Sequence, residues 1–255
     1  MPLFFLVPEA VRGDAVTITG PVVRHIGGAL RHQVGDRLTV VDATGERCLV
    51  ELTDVGPTAI HAVIRRRLGP ELEPAVHLTL AQAVLKSPNI DFVFQKATEL
   101  GVQRLVPLIT RRTVVRLKRE RESRQLARWR AIVLEAAQQS ERGRIPQVDA
   151  PTSLSDYLAE KRADDTTRLL LWEDESTLGL HDLVNASPSP MRATLLVGPE
   201  GGFDADEVRA ARAAGFVTVS LGDAVLRAET AAPAALAILQ YAWGSLGRRP
   251  TQRAT

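Results

Sequence analysis

The first part of the chain alternates short apolar segments with turn-forming residues. Residues 15–18, 37–41, 48–52 and 59–64 are rich in β-branched side chains and have the length of strands. Glycine, proline and aspartate separate them, as in Val34-Gly35-Asp36 and Val55-Gly56-Pro57. Short, evenly spaced strands of this kind predict a small β-barrel, and residues 68–74 after them are predicted to form a linker.

The pattern changes at Val76, after which strand-like apolar segments alternate with helical ones. Strands are predicted at residues 76–81, 104–109, 168–172, 193–197 and 216–220. One helix is predicted at about residues 90–100, where Gly101 provides the usual C-terminal glycine, and a second runs from the basic residues after 110 to about Ser140. This alternation favours an α/β fold with a mostly parallel sheet.

Composition sets limits without indicating a function. The chain has 255 residues, of which 45% are hydrophobic and 24% charged, as is usual for a globular protein. The single cysteine, Cys48, cannot form an internal disulfide, and its place in a predicted strand fits a small buried side chain in a reducing cytosol. No apolar run approaches the roughly 20 residues that span a bilayer, and the first residues lack the basic region of a signal peptide. We therefore expect a cytoplasmic protein.

The distribution of charge is more informative than the net charge of +2. Between residues 111 and 130 the acidic residues are Glu120 and Glu122. The basic residues of the same segment are Arg111, Arg112, Arg116, Lys118, Arg119, Arg121, Arg124, Arg128 and Arg130. Such clustering is expected of a protein that binds a phosphate backbone. A solvated helix face explains the cluster equally well when it is considered alone.

A glycine-rich segment, Val197-Gly198-Pro199-Glu200-Gly201-Gly202, connects a predicted strand to a predicted helix. Asp204 and Glu207 have the spacing of a capping box at the start of that helix. Glycines at such a junction let the backbone approach a ligand closely, although a tight turn alone also uses glycine and proline. The segment is neither a dinucleotide-binding fingerprint nor a P-loop.

A second segment, residues 221–231, also connects a strand to a helix, which is predicted to continue to about Trp243. Thr230 is the expected N-cap, and Pro233 would then fall in the first turn, where its missing N–H has no cost. Arg227 and Glu229 would lie at the carboxyl ends of the strands, where ligands bind to parallel sheets. Two adjacent loops of this kind predict a pocket better than either does separately.

Other chemistries lack support in the sequence. The histidines His25, His32, His61, His77 and His181 show no metal-ligand spacing, so we expect no metal. There is no Gly-x-Ser-x-Gly segment for a hydrolase nucleophile.

The chain resembles the ribosomal small-subunit uridine-N3 methyltransferases (the RsmE family) of the SPOUT, or knotted, methyltransferase superfamily. The resemblance covers nearly the whole chain. Its motifs, in family order, are Gln95-Lys96-Ala97-Thr98-Glu99-Leu100-Gly101-Val102, Arg112-Thr113-Val114-Val115, Glu135-Ala136-Ala137-Gln138-Gln139-Ser140, the segment from Val197 to Phe203, and Leu226-Arg227-Ala228-Glu229-Thr230-Ala231. His25, Leu30-Arg31 and Gly35-Asp36 resemble its N-terminal pattern, whereas Gly27-Gly28-Ala29 replaces the bulkier apolar residues expected there.

The resemblance implies a PUA-like RNA-binding β-barrel at residues 1–72 and a SPOUT α/β domain with a deep trefoil knot at residues 73–255. It implies a homodimer and S-adenosyl-L-methionine as cofactor, held by three loops. The residues expected to bind this cofactor are Leu171, Trp172, Glu173, Gly198, Pro199, Glu200, Gly202, Leu221, Gly222 and Leu226. The substrate would be 16S rRNA of the small ribosomal subunit.

The resemblance also implies roles at the reacting base. Arg227 would stabilise negative charge on a uracil oxygen, while Glu229 would either remove the N3 proton or orient Arg227. Arg31, Arg111 and Arg112 are the expected RNA contacts. Two alternatives stay open: a knotted methyltransferase that acts on tRNA or on a ribose hydroxyl, and a non-catalytic RNA-binding protein with the same fold.

Overall fold

The structure is a computed structural model that describes residues 3–115, 119–160, 165–186 and 188–247, without the side chains of Arg119 and Arg121. Arg116 and Lys118 of the predicted basic cluster lie outside the described residues. The chain divides into two compact units. In the described residues, the first comprises the chain up to Glu73 together with Ala137–Arg144, and the second comprises Pro74–Ala136 and residues 145–247.

The first unit is built on one six-stranded sheet with the order β1-β4-β5-β6-β3-β2. Its strands are β1 (Leu3–Phe5), β2 (Val11–Arg12), β3 (Ala15–Thr19), β4 (Arg37–Val41), β5 (Glu46–Val55) and β6 (Ala59–Pro70). β1 pairs with β4 in parallel and the other pairs are antiparallel. Short helical segments connect these strands: a 3-10 turn at Pro8–Ala10, α1 at Pro21–Val23 and a π-helical turn at Arg24–Ala29.

In the core of the first unit, buried apolar residues alternate along the strands with more exposed ones. Along β4 and β5, Leu38, Val40, Cys48 and Val50 are all almost fully buried. Cys48 is therefore the small buried side chain that its position predicted. The predicted linker is too long, because β6 continues to Pro70 through register shifts in its pairing with β5.

The second unit contains a seven-stranded parallel sheet with the order β10-β8-β7-β12-β11-β13, in which β9 also pairs with β8. Its strands are β7 (His77–Ala83), β8 (Arg104–Ile109), β9 (Gln147–Val148), β10 (Thr152–Ser153), β11 (Thr166–Leu171), β12 (Arg192–Val197) and β13 (Val217–Val219). The remaining helices are α2 (Asn89–Glu99), α3 (Arg119–Gln139), α4 (Leu154–Ala159), α5 (Leu180–Ala186), α6 (Ala205–Ala213) and α7 (Ala228–Ala242).

Both faces of the parallel sheet are apolar and covered, which explains the continuous hydrophobic strands in the sequence. Leu169 and Leu171 of β11 pack into one cluster with residues of α2, α5 and α7, whereas Leu170 between them packs into the cluster on the opposite face. The predicted α/β fold with a parallel sheet is confirmed. Because all strands point the same way, the loops after them meet at one edge.

The start of α7 differs from its prediction. Arg227, not Thr230, is the N-cap residue, and Thr230 is already helical. Ala228 and Glu229 are strong helix formers, and they extend the helix toward its N-terminus. Pro233 therefore lies inside the helix and not in its first turn. At this position its missing N–H removes one backbone hydrogen bond of the helix.

Candidate functional site

A cavity of about 560 Å³ lies at the carboxyl edge of the parallel sheet in the second unit. Three loops form most of its wall: the turn after β11, the 198–202 loop after β12 and residues 220–226 after β13. These strands are neighbours in the sheet, because β11 pairs with both β12 and β13. The sheet order thus brings together loops that are distant in the sequence.

All the residues predicted to bind a cofactor line this cavity. They are Leu171, Trp172, Glu173, Gly198, Pro199, Glu200, Gly202, Leu221, Gly222 and Leu226. Arg227 and Glu229, predicted to act on the base, line it as well. Their common location shows that they can act together, whereas their individual roles stay predictions.

The 198–202 loop is fixed at both of its ends. At the C-terminal end, Asp204 and Glu207 form the predicted capping box at the start of α6. At the N-terminal end, Gln82 of β7 is fully buried and its Nε2 donates to the Gly198 carbonyl at 3.1 Å. Gly202 has a φ of +68°, and a Cβ there would lie 2.0 Å from Glu173 Oε1. A larger residue cannot replace Gly202 without moving Glu173.

The third loop leads directly into α7. The Ser220 hydroxyl accepts a hydrogen bond from the Gly222 N–H at 3.1 Å, and the Arg227 carbonyl accepts from Thr230 at 2.8 Å. The Arg227 and Glu229 side chains, both within the described residues, form no ion pair with each other. A direct ion pair that orients Arg227 through Glu229 is therefore not part of this arrangement.

The buried carboxylate of Glu175 binds Arg212, which in turn packs against Trp172. Glu175 accepts hydrogen bonds from Thr177 N at 2.8 Å and from Arg212 at 3.1 Å, and it also accepts one from the Thr218 hydroxyl. These hydrogen bonds, first among them those from Thr177 and Thr218, lower the pKa of Glu175 to about 2. The Arg212 guanidinium lies over the Trp172 ring at 5.2 Å. The network fixes one wall of the cavity.

Arg111 and Arg112, predicted as RNA contacts, have partners beside the cavity. Arg112 donates to the Gly201 carbonyl at 2.8 Å, which ties the segment after β8 to the 198–202 loop. Arg111 forms ion pairs with Asp204 at 2.9 Å and with Asp206 at 2.8 Å. Arg31 lies in the first unit, where it is exposed and has a φ of 56°. The roles of these arginines in RNA binding stay predictions.

Several residues of the site were not found from the sequence. Lys86, in the turn between β7 and α2, and Asn89, the first residue of α2, line the cavity. Gln82 could have been noticed in the sequence, since it is a polar residue between two alanines near the end of a strand that is predicted to be buried. Glu175 and Arg212 had none, because their interaction depends on the packing of α6 against the segment after β11.

In the described ranges, no group of three or more histidine, cysteine, aspartate or glutamate residues is arranged to hold a metal ion. Across those same residues, no helix has both the length and the apolar character that a membrane span requires.

Comparison with known families gives two matches. Residues 72–240 match the RNA methyltransferase domain family, and residues 18–65 match the RNA methyltransferase PUA domain family. The first unit is thus PUA-like, and the parallel sheet belongs to a methyltransferase domain.

Individual proteins are similar over nearly the whole chain. The ribosomal RNA small subunit methyltransferase E of Mycobacterium bovis is 35% identical, and the match covers 92% of this chain and 89% of that protein. The ribosomal RNA small subunit methyltransferase E of Synechocystis is 33% identical, and the match covers 90% of this chain and 74% of that protein. A solved ribosomal RNA small subunit methyltransferase E from Neisseria gonorrhoeae, bound to S-adenosyl methionine, has a TM-score of 0.85 and 31% identity, covering 96% of this chain and 99% of its own. A putative methyltransferase from Legionella pneumophila, solved with bound cofactor SAM, has the same TM-score and identity, with 96% and 98% covered.

Proposed function

The chain belongs to the ribosomal RNA small subunit methyltransferase E family, and we propose that it transfers a methyl group from S-adenosyl-L-methionine to N3 of a uridine in 16S rRNA. The observation that carries this proposal is that one cavity of about 560 Å³ brings the three predicted cofactor loops together with Arg227 and Glu229.

The cavity suits the cofactor in size and charge. Its volume lies within the roughly 300–1,000 Å³ usual for small-molecule sites. Its wall contains more carboxylates than cations, which favours a positively charged ligand. Leu221 and Leu226 offer apolar contacts for an adenine ring, and the glycines of the 198–202 loop allow close approach of the backbone. When bound, S-adenosylmethionine supplies an electrophilic methyl group on a positively charged sulfur.

The residues of the chain act on the uracil. N3 carries a proton, and it becomes a good nucleophile only as that proton leaves. We assign proton removal to the Glu229 carboxylate, while Arg227 stabilises the negative charge that spreads onto an adjacent carbonyl oxygen. The N3 electron pair then forms the new bond to the methyl carbon, and the electron pair of the broken carbon–sulfur bond stays on sulfur.

We assign RNA binding to both parts of the chain. Residues 1–72 would form the PUA-like RNA-binding domain and residues 73–255 the methyltransferase domain. Arg31, Arg111 and Arg112 would contact phosphates. Arg111 and Arg112 stay partly exposed at the edge of the sheet while they hold their loops, so their remaining N–H groups can meet RNA.

We further propose a trefoil knot, a homodimer and a cytoplasmic location. The knot is supported by the position of β11 between β12 and β13, since the chain must cross from one side of β11 to the other before α7 returns to pack on α2 and α5. The dimer is supported by exposed apolar residues on α7, Ile238 at 38% and Tyr241 at 73%, and by Val225 beside the cavity at 80%.

The function is tested by methylation of purified small ribosomal subunits that lack the modification, with labelled cofactor and nucleoside mapping. We expect the label at N3 of one uridine in 16S rRNA. Arg227→Ala should lower the rate by about 10²–10³-fold, as is typical when a charge-stabilising donor is removed. Arg209→Ala, an exposed arginine on α6, is the matched control. Label on a ribose hydroxyl would contradict the proposal, and so would label in tRNA that is offered in place of the subunits or the absence of cofactor binding.

A further inference from the structure

Lys86 lies on the cavity wall, and its positive charge has no part in the steps assigned to Glu229 and Arg227. The charged residues lining the cavity are Lys86, Glu173, Glu200, Asp223, Arg227 and Glu229. Lys86 and Arg227 are the cations of this set. Within the described part of the chain, neither side chain has a hydrogen-bond or ion-pair partner. Both are therefore available to a ligand.

The backbone at Lys86 is held firmly although its side chain is free. The Lys86 N–H donates to Glu200 Oε1 at 2.9 Å, and the Lys86 carbonyl accepts from the Asn89 N–H at 2.8 Å. The first of these bonds ties the turn to the 198–202 loop, and the second closes the turn that begins α2. The side chain thus extends from a fixed backbone position beside the cofactor loops, and its flexible stem lets the ammonium group reach a ligand in the cavity.

The strand order gives the position of Lys86 along the carboxyl edge of the sheet. Along the carboxyl edge, the loops after β13, β11 and β12 are followed by the turn after β7, which carries Lys86, and then by the segment after β8, which carries Arg111 and Arg112. Lys86 therefore lies between the loops assigned to the methyl donor and the start of the basic segment assigned to RNA. A nucleotide that reaches from the basic segment into the cavity would therefore come close to this turn.

We propose that the Lys86 ammonium contacts a carbonyl oxygen of the target uracil and stabilises the negative charge that collects there as N3 loses its proton. This inference rests on the proposed function. N3 lies between two carbonyl groups, so the charge spreads over two oxygens, and the cavity offers two free cations. Arg227 serves one oxygen and Lys86 the other. Cytosine has an amino group in place of one of these oxygens, so the same pair of cations disfavours it.

The test compares Lys86→Met and Lys86→Arg with the wild-type enzyme in single-turnover methylation. We expect Lys86→Met to lower the maximal rate by about 10²–10³-fold, with the affinities for S-adenosylmethionine and RNA changed less than about threefold. The pH at which the rate rises should also be higher for Lys86→Met than for the wild type, because N3 loses its proton less readily without the positive charge. Lys86→Arg should restore part of the rate. Arg209→Met removes one exposed positive charge outside the cavity and should change none of these values.

Two results would overturn the assignment of Lys86. One is an unchanged maximal rate, and the other is a loss confined to RNA affinity, which would make Lys86 a phosphate contact. A wild-type enzyme without N3 activity would instead refute the proposed function. In that case Lys86 is judged by the binding of uridine, which has no phosphate, in the presence of S-adenosylhomocysteine. Binding that Lys86→Met weakens supports the contact, and absent or unaffected binding refutes it.

Discussion

Glu175→Gln should destabilise the protein in a way that depends on pH. The pKa of this buried carboxyl falls from 4.5 to about 2 because it accepts several hydrogen bonds, first from Thr177 and Thr218. At 1.36 kcal/mol per pKa unit, the shift corresponds to an upper bound of about 3 kcal/mol of stability for the ionised group, which solvent screening reduces. This stability is fully present above pH 4.5 and is lost as the pH falls toward 2. The amide has nearly the same shape but cannot carry the charge.

Urea unfolding of wild type and Glu175→Gln between pH 7 and pH 3.5 measures this effect. We expect a lower free energy of unfolding for the variant at pH 7, and a difference that shrinks below pH 4.5 as the Glu175 carboxyl of the unfolded wild-type chain becomes protonated while the folded one stays ionised. Asp174→Asn removes a neighbouring, exposed carboxylate and serves as the control. A difference that stays constant across this range would show that Glu175 acts through packing rather than charge, and would refute the reasoning.

The same variant should also weaken cofactor binding, because Glu175 holds the Arg212 guanidinium that lies over Trp172. Calorimetry at pH 7 would report the affinity for S-adenosylmethionine, and tryptophan fluorescence would report the environment of Trp172. Trp129 and Trp243 are fully buried away from the cavity, so they provide a constant background. If stability falls while affinity and fluorescence stay unchanged, the network supports the fold without positioning Trp172.

Three further predictions concern the backbone, the RNA contacts and the dimer. Gly202→Ala should weaken binding of S-adenosylmethionine in calorimetry, because the new Cβ would displace Glu173. Gly35→Ala is the control: Gly35 has a φ of +92° and no atom of the described residues within 4 Å of an added Cβ, so this variant introduces backbone strain without a steric clash. Equal binding by both variants would contradict this. Arg31→Ala should reduce the slope of log affinity for RNA against log salt by about one unit and leave cofactor affinity unchanged, whereas Arg112→Ala should change both, since it also releases the Gly201 carbonyl. An unchanged slope would remove either residue from the RNA interface. Tyr241→Glu should convert a dimer to a monomer in light scattering, and Met191→Glu, equally exposed at 73%, should not. A monomeric wild-type protein would refute the dimer.

The features that could be predicted from the sequence depend on local interactions. The capping box of Asp204 and Glu207 and the end of α2 at Gly101 each involve residues within a few positions of one another. The apolar strands could also be located, because burial on both faces leaves a continuous hydrophobic pattern. The start of α7 was misplaced since Thr230 is a good N-cap residue, and the helix propensity of Ala228 and Glu229 outweighed that signal.

The site needed the order of the strands, which no local pattern determines. Lys86 and Glu200 are 114 positions apart, and they meet because β7 pairs with β12. The sequence motifs marked the loops after β11, β12 and β13, and the resemblance gave them a common cofactor, but the turn after β7 has no glycine-rich signal of its own. Its place between those loops and the segment that carries Arg111 and Arg112 follows only from the sheet. From that position a side chain can reach the base while the cofactor is bound, and Lys86 places there an ammonium group that is unpaired among the described residues.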